Sequence, residues 1–153
     1  LLSKEFGIQK LFRELGPALE QADFVSLHVP ATPETRHLVD RDFLAEMKPR
    51  AQLINMARGS VVEECALYNA LDTGIIAGAA LDVFDEEPYV PVDPDRDLRT
   101  LDNVLLTPHM GTSTQEACRR MARCCINNIR NGREQRFDEM QLLNPRVKKG
   151  IKQ

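Results

Sequence analysis

Four short apolar runs punctuate the chain, each closed by proline, glycine or charge. They are Asp23-Phe24-Val25-Ser26-Leu27-His28-Val29 before Pro30, and Ala51-Gln52-Leu53-Ile54-Asn55-Met56 before Ala57-Arg58-Gly59. Gly78-Ala79-Ala80-Leu81-Asp82-Val83-Phe84 and Asn103-Val104-Leu105-Leu106 follow. None alternates strictly between apolar and polar, so each reads as a strand buried on both faces. Segments with helical spacing separate them. Gly7 is expected to stop a helix over the first residues, and Glu14 to Gln21 is a short candidate with Pro17 tolerated in its first turn. Asp40 caps a helix through Met47, closed by Lys48-Pro49. Ser60 with Glu63 predicts a capping box for a helix ending at Asp72 and Gly74. Ser113 with Glu116 predicts another. The helix after it sets Cys118, Met121, Ala122, Cys125, Ile126 and Ile129 on one stripe, turns Arg119, Arg120 and Arg123 away, and is followed by Gly132.

The order is strand, helix, strand, helix, strand, loop, strand, helix. It predicts an α/β fold with a parallel sheet, right-handed crossovers and helices on its faces. In such sheets ligands bind beyond the carboxyl ends of the strands. Four residue groups lie there: His28-Val29-Pro30, Ala57-Arg58-Gly59, Asp85-Glu86-Glu87-Pro88 and Thr107-Pro108-His109. One rim thus collects an arginine, carboxylates and two imidazoles. An arginine fork suits a carboxylate substrate, and a histidine beside a glutamate makes an acid/base pair. A cation at a helix N-terminus opposes the helix dipole, so Arg58 there points to function. Taken singly, His109 reads equally as a turn residue, Glu87 as a solvated loop charge and His28 as structural.

Composition narrows the field. The 153 residues carry 20 basic and 23 acidic side chains, a net charge of −3, which leaves no polycationic footprint for nucleic acid. No apolar run reaches the ~18 residues of a membrane-spanning helix. The start, Leu1-Leu2-Ser3-Lys4-Glu5, lacks the apolar core of a signal peptide. Cys65, Cys118, Cys124 and Cys125 have no CxxC spacing, which favours a reduced, cytoplasmic chain over a disulfide framework.

Four ordered strings resemble the D-isomer-specific 2-hydroxyacid dehydrogenases. They are the stretch from Ala22 through His28-Val29-Pro30 to Leu38, Leu53 to Gly59, Gly78 to Pro88, and Leu106-Thr107-Pro108-His109-Met110-Gly111. Asn144-Pro145 is similar to the family's tail. The resemblance implies an incomplete Rossmann-like doubly wound parallel sheet. It also implies an oxidoreductase moving hydride between NAD and a 2-keto or D-2-hydroxy acid, with NADP open. Arg58 would then bind the substrate carboxylate, His109 act as general acid/base and Glu87 as its partner. Asp82 would lie near the nicotinamide. His28, Val29, Pro30, Thr35, Met56, Ala57, Arg58, His109, Met110 and Gly111 would line the dinucleotide. The family also implies a homodimer.

The departures are as informative. The eight glycines, at 7, 16, 59, 74, 78, 111, 132 and 150, nowhere make a G-x-G-x-x-G turn. Residues 1–133 are therefore expected to be the later part of a nucleotide domain, without its first βαβ unit. Residues 134–153 are expected to be a tail that returns to a substrate domain, fraying beyond Lys148. The alternative is an NAD(H)-sensing scaffold or corepressor-like module on the same fold.

Overall fold

The structure is a computed structural model and describes residues 5–141. Its residues group into two compact units, one closing at His109 and the other opening at Met110.

In the first unit, β1 (Phe24–Leu27), β2 (Gln52–Asn55), β3 (Gly78–Leu81) and β4 (Val104–Leu106) form one parallel sheet in chain order. All four are shorter than the apolar runs that contain them. Pairing stops at Leu27, Asn55, Leu81 and Leu106, and the last residues of each run lead into the rim. The helices are α1 (Gly16–Leu19), with Pro17 in its opening turn, α2 (Arg41–Glu46) and α3 (Glu64–Asp72). Asp40 caps α2 as expected, accepting from the Phe43 amide at 2.9 Å. Leu44, Leu53, Leu67, Ile76 and Leu98 are fully buried, so the core lies between the sheet and these helices.

Two local expectations fail for one reason each. Ser60 and Glu63 do not form a capping box. Ser60 lies in a 3-10 turn (Gly59–Val61), and its carbonyl accepts the His37 amide at 2.9 Å. Residues 37–39 run parallel to 60–63, with Val39 bridged to Val62, and this extended pairing displaces the helix start to Glu64. Arg58 therefore precedes a 3-10 turn rather than the helix, and the dipole argument does not apply to it. Gly74 does end α3, with φ of 72°.

In the second unit, α4 (Gln115–Arg133) is capped by Thr114, whose hydroxyl accepts from the Ala117 amide at 3.1 Å. Ser113 misses that role because its own amide is turned back to the Met110 carbonyl. The helix runs through Gly132 rather than ending before it. Within this unit the stripe of Met121, Ile126 and Ile129 is exposed, while Asn131 is buried and Asn128 half-buried. Residues 137–141 fold back on that amide side. Asn131 donates to the Glu139 carbonyl at 3.3 Å, and Asn128 accepts from the Gln141 amide at 3.2 Å. The Asn144-Pro145 likeness and most of the expected tail lie outside the described residues.

Candidate active site

Parallel pairing in chain order brings the ends of β2, β3 and β4 side by side on one edge. Arg58 follows the first, Glu87 the second and His109 the third.

One contact there joins two predicted residues across two loops. His109 Nδ1 lies 2.7 Å from Glu87 Oε2. The other carboxylate oxygen, Oε1, accepts the Phe84 amide at 3.1 Å. The His109 hydrogen bond, then the Phe84 amide, hold the Glu87 carboxyl below the usual glutamate range. With Nδ1 spoken for by the carboxylate, Nε2 is the ring nitrogen left to meet a substrate. The two side chains retain 47% and 35% exposure, so a ligand can reach them. His109 has φ of 49°, a left-handed conformation that re-aims the side chain where β4 gives way to the loop. Beside the pair opens a cavity of about 460 Å³, lined by Phe84, Pro88, Tyr89, Leu106 and Pro108 among others.

Arg58 is exposed, and its Nη1 donates to the Ala57 carbonyl at 2.6 Å. It touches neither Glu87 nor His109, and it does not line that cavity. Its loop is nevertheless fixed against theirs. A methyl group at Gly59 would lie 1.9 Å from the Phe84 carbonyl carbon, so the two backbones pack directly on each other.

Asp82 is buried and accepts from the Thr107 hydroxyl at 2.5 Å, which joins β3 to β4 at the rim. His28 is exposed, its Nε2 2.9 Å from the Ser26 hydroxyl. Thr35 donates to the Pro30 carbonyl at 2.6 Å and so folds the loop after β1 back on itself. Val29 and Ala57 are half-buried, and Pro30, Met56, Met110 and Gly111 are exposed.

The pattern reading missed Asn55, Glu64 and Tyr89. Asn55, 1% exposed, shapes the arginine loop: its Nδ2 donates to the Arg58 carbonyl and its Oδ1 accepts the Ala57 amide, both at 3.0 Å. An amide closing an apolar strand is the signal that could have found it. Glu64 and Tyr89 meet across the loop that follows Glu87, 25 residues apart in sequence, and neither sits in a local pattern that foretells the contact.

Comparison with known proteins then decides the family. Residues 3–111 match the family described as D-isomer specific 2-hydroxyacid dehydrogenase, NAD binding domain. The chain belongs to this family. It is 47% identical over 126 residues to the glyoxylate reductase of Korarchaeum cryptofilum (strain OPF8), covering 82% of this chain and 36% of that protein. It is 47% identical over 116 residues to the D-3-phosphoglycerate dehydrogenase of Methanocaldococcus jannaschii, covering 76% of this chain and 21% of the relative. Among solved structures, a D-lactate dehydrogenase from Sporolactobacillus sp. matches with a TM-score of 0.76 at 40% identity, over 84% of this chain and 42% of that one. The chain thus spans about a third or less of the curated relatives named here. The sheet and its flanking helices are those of the family's Rossmann-like NAD-binding domain.

Proposed function

We propose that the protein carrying this chain is an NAD-dependent dehydrogenase of small 2-keto and D-2-hydroxy acids. The observation that carries this reading is the 2.7 Å pair of His109 Nδ1 and Glu87 Oε2 at the carboxyl edge of the sheet, one loop away from Arg58. Family membership supports it, as do the relatives' names.

Each residue has work that suits its chemistry. Arg58 grips the substrate carboxylate with its planar fork and draws charge toward the neighbouring carbonyl. His109 gives a proton from Nε2 to the developing alkoxide during reduction and removes it from the hydroxyl during oxidation. Glu87 accepts the Nδ1–H hydrogen bond and so leaves Nε2 to face the substrate.

The donor set fits the nicotinamide end of the cofactor. Asp82 is a buried carboxylate at the rim, tied to Thr107. NAD, when bound, accepts or delivers the hydride at the carbon bearing that oxygen. Asp82, just past the end of β3, would hold its nicotinamide end, and His28, Val29, Pro30, Thr35, Met56 and Ala57 its remainder. The starts of α2, α3 and α4 do not suit the pyrophosphate. Asp40 and Asp42 stand at α2, Glu63 and Glu64 at α3 and Glu116 at α4, and these carboxylates repel a phosphate. A cytoplasmic homodimer is the assembly that goes with this reading. Among the described residues no helix is long and apolar enough to cross a membrane.

The test is NADH oxidation by the protein that carries this chain, offered glyoxylate, pyruvate and hydroxypyruvate in turn. Turnover that disappears in His109→Ala supports the enzyme. NADH binding with no turnover of any keto acid would favour the sensing module instead.

A further inference from the structure

Three separate loops carry the candidate residues, and loops at strand ends move unless something ties them. The Glu87 loop is long, running from Asp85 to Asp97, and rich in proline and aspartate. A side chain of the neighbouring helix anchors it. Glu64, in the first turn of α3, accepts the Tyr89 hydroxyl at 3.2 Å and the Val92 amide at 2.9 Å, both on Oε1. The Tyr89 hydroxyl in turn accepts the Leu98 amide at 3.2 Å. One carboxylate and one phenol thereby fasten the loop near its start, in its middle and at its far end. Both groups are partly buried, and burial raises the Glu64 carboxyl above its ordinary range and the Tyr89 hydroxyl to about 12. Asp85 and Asp97 face Glu64, and Arg99 lies over the Tyr89 ring at 5.4 Å.

The tie reaches the acid/base pair through Phe84. The Tyr89 ring packs on the Phe84 ring with centroids 4.8 Å apart. The Phe84 amide is the donor that holds Glu87 Oε1, leaving Oε2 for His109. Phe84 is also the residue whose carbonyl meets Gly59. Glu64 stands on the helix that the Arg58-Gly59 loop leads into. The same few residues therefore fix the glutamate loop to the helix behind the arginine loop.

We propose that Glu64 and Tyr89 are positioning residues: their hydrogen bond sets the Glu87 carboxylate against His109 and keeps that pair in register with Arg58. The proposal rests on reading Glu87 and His109 as the acid/base pair, but its first readout does not need turnover. The chain has three histidines, so the ring nitrogens of His109 can be resolved by ¹⁵N NMR after assignment. In the wild type the neutral ring should carry its proton on Nδ1, facing Glu87. Tyr89→Phe keeps the ring stack and removes only the hydroxyl. Glu64→Ala removes the acceptor, and Glu64→Gln retains an acceptor oxygen. Tyr89→Phe and Glu64→Ala should move His109 toward a mixture of tautomers, while Glu64→Gln should keep the wild-type tautomer. In the protein that carries this chain, the first two should lower kcat by about 3- to 10-fold, the loss of one ordinary hydrogen-bonded tie, with KM for NADH unchanged. If Glu64→Ala unfolds, Tyr89→Phe against Glu64→Gln carries the test. A tautomer shift in a protein with no keto-acid turnover supports the positioning and overturns the acid/base reading. An active wild type whose folded Tyr89→Phe variant matches it in tautomer and kcat overturns the positioning and leaves the acid/base reading standing.

Discussion

Gly59→Ala is the smallest change that should damage this architecture. The added methyl would sit 1.9 Å from the Phe84 carbonyl carbon, 2.1 Å from its oxygen and 2.3 Å from the Asp85 nitrogen. Carbon atoms rest about 3.5–4.0 Å apart, so the loops must separate by roughly 1.5 Å. All three obstructing atoms are backbone, and no side chain can swing aside. Overpacking costs about 1–3 kcal/mol and sometimes more, and a backbone-on-backbone clash belongs at the upper end. For a chain of 153 residues each kcal/mol moves Tm by roughly 2–4 °C, so a cost of about 3 kcal/mol in Gly59→Ala should lower it by about 6–12 °C. Gly74→Ala is the control. Its site is open space, and the cost is only that of a left-handed alanine, about 1–2 kcal/mol. Thermal unfolding followed by circular dichroism reads both variants. A Gly59→Ala melt close to wild type, or one above Gly74→Ala, would refute the direct packing of the arginine loop on Phe84.

Three further outcomes are expected. Arg58→Lys keeps the charge but loses the planar fork, and a charge-assisted hydrogen bond is worth about 1.5–3 kcal/mol. In the protein that carries this chain, steady-state kinetics should show kcat/KM for keto acids falling by at least tenfold with NADH affinity unchanged; a collapse of NADH affinity would make Arg58 a nucleotide residue. Calorimetry on the isolated 153 residues should find no micromolar NADH binding, because acidic side chains stand at the starts of α2, α3 and α4 where a pyrophosphate would need bare amides. Burial raises the Glu64 carboxyl, so its favourable contribution is complete below the ordinary glutamate range and is lost as pH rises through its own titration. Urea unfolding of Glu64→Gln and wild type at about pH 4 and pH 7 should therefore show the variant gaining on the wild type at the higher pH; a gap that stays constant would mean that Glu64 is not held in a raised range.

Much of this fold is legible in the sequence because its signals are local. Apolar runs ending at Pro30, Gly59 and Pro108 mark strands and the rim beyond them, and Asp40 and Gly74 carry cap chemistry that the structure bears out. The family strings led to Glu87 and His109, 22 residues apart and joined at 2.7 Å. What the pattern misread was decided at a distance. Ser60 has the right spacing for a cap, but residues 37–39 claim its backbone first. The stripe of Met121, Ile126 and Ile129 has helical period, yet periodicity says nothing of which face the unit's own residues cover; here Asn128 and Asn131 take that place. Asn55, Glu64 and Tyr89 escaped because each earns its role from a hydrogen bond rather than from apolar period. Two of those bonds, from the Tyr89 hydroxyl and the Val92 amide to Glu64, cross between segments far apart in the chain.

The central claim is that Glu87 works through His109. Reduction needs the protonated imidazole and oxidation the neutral one, so the two directions should fall and rise over the same pH range. The Glu87 carboxyl, held below the ordinary range chiefly by its bond to His109, keeps its charge across neutral pH and sets a negative neighbour against His109 Nδ1. Glu87→Gln removes the charge and keeps the shape. The decisive measurement is kcat/KM against pH in both directions, for wild type and Glu87→Gln, in the protein that carries this chain. The account expects both limbs to move to lower pH in the variant, with reduction most impaired near neutrality. Limbs that stay where they are in the wild type would contradict it, for Glu87 would then have no hold on the proton that His109 transfers.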